Sequence, residues 1–220
     1  MKIRYFHAMV RKDNIALINE LSASEGVFTC AQARRLGISR DALAKACVSG
    51  RLHRIAHGAY RMAGVPPTDF DEAMAVWKLT RLSLFLHERA SREGWDGIAV
   101  SGSSAASVLR IGDFYLSPYR LVAPRRMRSN ASSVAFATRR VEREDVSFVE
   151  GFAMTRRERT IVDLVLDDED PSLILDALRD AMSEGMDNDR LEKLVRSECK
   201  RTKVGFVLDL LFGEEAGDAV

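Results

Sequence analysis

An α+β fold in two parts is what this sequence predicts, and three observations predict it. A capped helix pair with a Gly between its members stands near the N-terminus. A Pro-Pro pair follows it, and short apolar runs then give way to long helical patterns. The first part is expected over residues 1–64. The second, over residues 65–220, is expected to be a mixed α/β unit with a small sheet and several helices.

Composition sets the class before any element is placed. The 220 residues are 46% apolar, enough to bury cores of real size. No apolar run approaches the ~18 to 20 residues that span a bilayer. Met1–Ile18 carries charges where a signal peptide needs an apolar stretch, so the cytoplasm is the expected compartment and no membrane is an expected partner. Cys30, Cys47 and Cys199 form no CxxC pair and read as small buried hydrophobes. Charge is unevenly spread within a net of +1. Residues 1–64 hold 11 Lys and Arg against 4 Asp and Glu, and the remainder holds 22 against 28. A basic head on an acidic body points to a polyanion for the head alone.

The first helix is expected at Asn14–Leu21, with Ile15, Ile18 and Leu21 inward at helical spacing. Thr29 followed by Gln32 reads as a capping box, so a second helix starts at Cys30. It ends near Leu36, because Gly37 reaches the left-handed conformation without a Cβ penalty. Ser39 then caps a third helix. Ala33 lets the two helices approach, while Ile38, Leu43 and Ala46 seal the angle between them, the spacing of a helix-turn-helix. With Leu43 and Ala46 inward, Arg40, Asp41, Ala44, Lys45 and Val48 point outward. Arg40 and Lys45 suit phosphates or guanine edges, and Ala44 suits a thymine methyl.

Gly50 ends that helix, and strands at Leu52–Ile55 and Ala59–Met62 then flank a turn of Ala56, His57 and Gly58. This basic hairpin is a wing. Helix pair and wing together predict a winged helix-turn-helix whose partner is duplex DNA. The candidate DNA-binding residues are Thr29, Gln32, Arg35, Ser39, Arg40, Ala44, Lys45, Arg51, His53, Arg54, His57 and Arg61. One small head with ~4 to 6 phosphate contacts binds weakly at physiological salt, so the expected partner is an operator with inverted repeats. Cys30, Cys47, His53 and His57 resemble a zinc set in type only. The cysteines stand too far apart for a finger, and no metal is expected.

Gly64–Thr68, with Pro66-Pro67, is the expected linker. Thr68 or Asp69 is expected to cap one long amphipathic helix reaching about Glu93. A strand at Gly97–Ser101 runs into Gly102, Ser103 and Ser104, a turn like a hydrolase nucleophile elbow but without its second Gly or a readable triad. Ser103 is therefore expected to be a helix N-cap, and no catalytic residue is assigned. Strands are expected at Tyr119–Ala123, Val134–Thr138, Val146–Val149 and Phe152–Thr155, in a small mixed sheet. Helices follow at Thr160–Leu166, Pro171–Glu184, Asp189–Lys200 and Thr202–Phe212, with fraying from Gly213. Arginines cluster beside the strands. Arg125, Arg126, Arg128, Arg139 and Arg140 form a possible second basic patch for DNA flanks or an acidic surface; Arg143, Arg156, Arg157 and Arg159 lie beyond it. The one E-x-K, Glu198 with Lys200, lies on a helix far from any strand, which disfavours a metal-dependent nuclease.

The runs "VFTCAQARRLGISRDALAKACVSGRLHRIAHGAYRMAG", "VSGSSAASVLRIGDF", "LVAPRR" and "FAMTRRERTIVDLV", in that order, resemble the AbiEi-type antitoxin and transcriptional regulator family of type IV toxin-antitoxin systems. Gly58 with Tyr60, Ser104-Ala105, and Arg159-Thr160 with Asp163 are its most specific pieces. The resemblance implies a repressor of its own operon. It also implies an antitoxin that opposes a nucleotidyltransferase-like toxin without a stable complex. No cofactor is expected, and because no nucleophile, base and orienter can be assembled from Ser103, Ser104 and four scattered histidines, the chain is not expected to be an enzyme. Gly102 and Ser103 replace a His-containing turn of the family, so no role carries over to that turn. The readings from other classes are a ligand-sensing transcription factor, which would need a sizeable apolar pocket with convergent polar groups, and a nuclease with a DNA-targeting head.

Overall fold

The structure, a computed structural model, describes residues 14–129 and 131–199. Its first helix, α1, runs Asn14–Glu25 and buries Ile18 and Leu21, whereas Ile15, expected inward, is 38% exposed. The capping box forms as read: the Thr29 hydroxyl accepts the Gln32 amide at 3.1 Å, and the Gln32 side chain accepts the Thr29 amide at 2.8 Å. That fixes α2 at Cys30–Arg35. Gly37 turns the chain at φ +83°, and Ser39 caps α3, Arg40–Val48, by accepting the Ala42 amide at 3.1 Å. Ala33, Ile38 and Leu43 are buried in the angle between the helices.

Among the described residues the head has three strands, β1, Phe28–Thr29, β2, Leu52–Ala56, and β3, Ala59–Met62. They form an antiparallel sheet in the order β1-β3-β2, with Leu52 opposite Met62 and Arg54 opposite Tyr60. The expected wing hairpin is present, with Gly58 at φ +88° in its turn.

The body holds the expected mixed sheet. Its five strands are β4, Ala99–Val100, β5, Tyr119–Ala123, β6, Val134–Thr138, β7, Val146–Val149, and β8, Phe152–Thr155. Their order is β6-β5-β4-β8-β7, with β5 parallel to β6, β4 parallel to β8, and the other pairs antiparallel. The helix α4, Asp71–Leu79, packs Trp77 into the sheet core, its indole donating to the Ile98 carbonyl at 2.8 Å. A second core lies among α6, Gly102–Leu109, α7, Arg157–Leu166, α8, Pro171–Ser183, and α9, Asn188–Glu198, around Ile161, Leu164, Leu178 and Leu191. Pro171 takes the first helical position behind an Asp170 cap. The helix expected at Thr202–Phe212, and the fraying expected from Gly213, lie outside the described residues.

Three expectations fail here for identifiable reasons. The single long helix to Glu93 is two: α4 stops at Leu79, and α5 spans Leu86–Ala90. The chain between them leaves the helix so that its carbonyls face the head. Leu82 O accepts from the Thr29 hydroxyl, Leu84 O from Gln32 at 2.7 Å and Ser83 O from Arg35 at 2.6 Å. Neither Thr68 nor Asp69 caps α4. It begins after Phe70 without a side-chain cap, and the Thr68 hydroxyl instead donates to Asp71 at 2.9 Å. Nor does Ser103 cap α6, because the helix already begins at Gly102.

Candidate nucleic-acid interface

The outer face of α3 carries Arg40, Asp41, Ala44, Lys45 and Val48, all exposed as the inward positions of Leu43 and Ala46 require. Ser39 opens the helix beside them. On the wing, Arg51, His53, Arg54 and His57 are exposed, and Arg54 meets the His57 ring at 2.6 Å. A shallow groove lined by Arg34, Ile38, Ser39 and Arg40 runs along the helix-turn-helix corner. The fold thus brings together eight of the residues expected to contact DNA: Ser39, Arg40, Ala44, Lys45, Arg51, His53, Arg54 and His57.

The other four candidates face the body. Thr29 and Gln32 are fully buried, occupied by the capping box and by the carbonyls of Leu82 and Leu84. Arg35 stays at the surface but is committed: it donates to both carboxylate oxygens of Glu88, at 2.6 and 2.7 Å, and lies 4.4 Å over the Phe85 ring. Its hydrogen bonds hold the Glu88 carboxyl down at about 2. Arg61 is 7% exposed and pairs with Asp71 at 2.8 Å, so it is not offered to a ligand. The sequence carried a clue to this. In β3 the period of two puts Arg61 on the same face as buried Ala59.

A residue that the sequence reading missed organises this inner seam. Glu25, 3% exposed, accepts from Gln32 at 3.0 Å, from the Leu86 amide at 3.1 Å and from the ammonium of Lys78. Lys78 is itself buried, which pulls its pKa below the ordinary lysine value against the pull of Glu25. Val27 and Ala59 of the head belong to the same core as Trp77 and the sheet. The wing also packs inward, with Ile55 and Ala56 against the same core.

Among the second-patch residues, Arg125, Arg126 and Arg128 are exposed after β5, and Arg140 is exposed after β6. Because β5 and β6 are parallel, both groups leave the same edge of the sheet. Arg139 is drawn inward instead, donating to Asp163 at 3.2 Å and to Asp167. Asp163, whose burial raises its pKa, also accepts from the fully buried Arg159 at 2.8 Å, and Arg159 reaches Glu198. Arg143 lies 4.7 Å over the Phe148 ring and donates to the Ala90 carbonyl, and Arg157 pairs with Glu184 at 3.4 Å. Arg128 and His57 line one groove of about 430 Å³ between wing turn and body, with Ala56, Leu79, Tyr119 and Phe136.

Among the described residues, the candidate serine of the middle turn is taken up by backbone groups. The buried Ser104 hydroxyl is held by the carbonyls of Leu116, at 2.8 Å, and Pro118, and it accepts the Arg120 amide. Cys30 contacts the Tyr60 hydroxyl at 3.6 Å, and no group of three or more His, Cys, Asp or Glu stands ready for a metal among the described residues. No described helix is long and apolar enough to cross a membrane.

Among solved structures, the chain is similar to the RV2827C protein from Mycobacterium tuberculosis, with a TM-score of 0.55 and 15% identity, over 90% of this chain and 76% of that one. At that identity the likeness speaks for the fold alone. No curated protein matches the chain. The resemblance read across most of the sequence is matched by a family model in the head alone: residues 16–63 fit the family described as "Transcriptional regulator, AbiEi antitoxin".

Proposed function

We propose that this chain is a sequence-specific transcriptional repressor that also serves as the antitoxin of a type IV toxin-antitoxin system. It represses its own operon and opposes a nucleotidyltransferase-like toxin without forming a stable complex with it. In this reading residues 1–64 are the DNA-binding part, residues 65–220 the antitoxin part, the protein acts in the cytoplasm, and it has no catalytic activity. The observation that carries it is the exposed face of α3, with Arg40 and Lys45 beside Arg51, Arg54 and His57 of the wing, inside the segment that fits the regulator family. Arg125, Arg126, Arg128 and Arg140 extend the basic surface toward the DNA flank, since Arg128 shares a groove with His57; Arg139, held by Asp163 and Asp167, contributes less.

The operator in this reading has two half-sites about a multiple of ~10 base pairs apart, so that both heads meet one side of the duplex. The test is a titration of the full chain on the upstream DNA of its own gene, with one half-site and with two, followed by an insertion of half a turn. Tight binding that survives loss of one half-site, or is indifferent to the insertion, refutes the two-copy operator. The antitoxin part is tested separately, by co-expression with the neighbouring gene: growth arrest relieved by this chain supports it, and arrest unrelieved overturns it.

One observation favours a ligand-sensing regulator as a second reading. The groove at the wing is mostly apolar, and Glu72, which accepts from the Tyr119 hydroxyl at 2.7 Å, lies beside Arg128 and His57. A metabolite that shifts operator affinity, and fails to do so when Leu79 is enlarged to Trp, would support it.

A further inference from the structure

Helix α3 leaves one apolar stripe uncovered. Arg40, Ala44 and Val48 succeed one another at intervals of four, so they stand in a row along the outer face. Leu43 is buried, and Ala42, Ala46 and Cys47 are half-buried against the head, but Val48 is 91% exposed, the most exposed large hydrophobic among the described residues. A lone exposed valine means little by itself. Its place one turn beyond exposed Ala44, on the face that carries Arg40 and Lys45, gives it meaning. Asp41 on the same face argues further that part of this surface does not lie on phosphates, because a carboxylate would repel them. On base edges Asp41 has a use, accepting from a cytosine amine.

The major groove contains one apolar group, the C5 methyl of thymine. We propose that Ala44 and Val48 each pack on a thymine methyl, so that the half-site recognised by this chain carries two thymines on the strand facing α3, next to a guanine met by Arg40. The inference rests on the DNA-binding reading above and adds the chemical identity of the bases. It makes Val48 a specificity-determining residue through contact with an alkyl group rather than through a hydrogen bond. A cytosine bearing a C5 methyl presents the same group, so its methyl is read in the same way.

The test uses the full chain and duplexes selected by it from a random pool. The selected half-site is then remade with uracil for each thymine in turn, which removes only the methyl. Each contacted methyl should account for about 4-fold in affinity, the ~0.8 kcal/mol of one buried CH₂ group converted, and the pair for about 15-fold. Uracil placed outside the half-site should change nothing. Val48→Ala should lose about the same factor on thymine DNA and nothing further on DNA whose matching thymine is uracil. If uracil duplexes bind as well as thymine duplexes, or if Val48→Ala loses the same factor on both, the inference is wrong while DNA binding stands. A chain that selects no duplex at all overturns the DNA-binding reading, and this inference with it.

Discussion

The head has two polar faces, one cationic and exposed, the other mixed in charge and buried, and they behave oppositely. Outward it shows Arg40, Lys45, Arg51 and Arg54, each exposed. Inward it holds Glu25, Thr29, Gln32 and Arg61, each buried and each matched to a named group on α4 or on the segment before α5. Arginine occurs on both faces, so its type alone does not place it; the neighbours do. A buried charge is tolerable only when paired, whereas an exposed one is free to meet a partner in solution. Inner-face substitutions should therefore change stability and leave DNA affinity alone, and outer-face substitutions should do the reverse.

The largest effect should come from Lys78→Ala. It strands the Glu25 carboxylate in the seam and should cost about 3 to 5 kcal/mol in urea unfolding. Replacing both Glu25 and Lys78 by apolar residues of similar volume should cost distinctly less, and an equal cost would mean that the pair does not dominate the seam. Next, Arg40→Ala or Lys45→Ala should each weaken operator binding by about 1 to 3 kcal/mol where a base is read, and by less where only phosphate is touched. The urea midpoint should not move. A double substitution that binds as before would remove α3 from the interface.

Arg61→Ala sharpens the contrast, because this residue belongs to the wing in sequence and to the seam in space. Losing its pairing with Asp71 and its hydrogen bond to the Val65 carbonyl should cost about 1 to 3 kcal/mol of stability. Operator affinity, measured well below the unfolding transition, should be unchanged; a drop in affinity would return Arg61 to the DNA.

The smallest effect concerns pH. The hydrogen bonds from Arg35 and the Phe85 amide hold folded Glu88 at about 2, below its ordinary 4.5, so its stabilisation is present above about pH 4.5 and is lost as pH falls toward 2. Both partners are about a third exposed, which keeps the contribution at or below about 1 kcal/mol. The urea midpoints of wild type and Glu88→Gln should differ at pH 7 and converge by pH 2. A gap that persists at pH 2 would locate the effect elsewhere.

How much was legible in the sequence follows from the range of the forces involved. The helix-turn-helix was readable because its determinants are local: Thr29 with Gln32, Gly37 and Ser39 act within a few residues of themselves. The strands of the body were readable from short apolar runs bounded by turns. The break between α4 and α5 was not, since Leu82, Leu84, Phe85 and Leu86 continue an apolar helical pattern and the cause lies in side chains ~50 positions away. For the same reason Thr29 and Gln32 entered the DNA-binding set. Their capping roles were visible, but the carbonyls of Leu82 and Leu84 that also occupy them were not. Glu25 was missed altogether, because nothing in its own stretch signals a buried carboxylate.

The placement of Val27 and Ala59 in the core of the body, with Ile55 and Ala56 of the wing packed against it, bears on how the protein would respond to a protease. Gly64–Thr68 is exposed and invites a cut. Cleavage there should yield two fragments that still elute together and separate only in denaturant. A head expressed alone would present Val27, Ala59 and an unneutralised Glu25 to water, and it should aggregate or stay unfolded rather than behave as a free DNA-binding module.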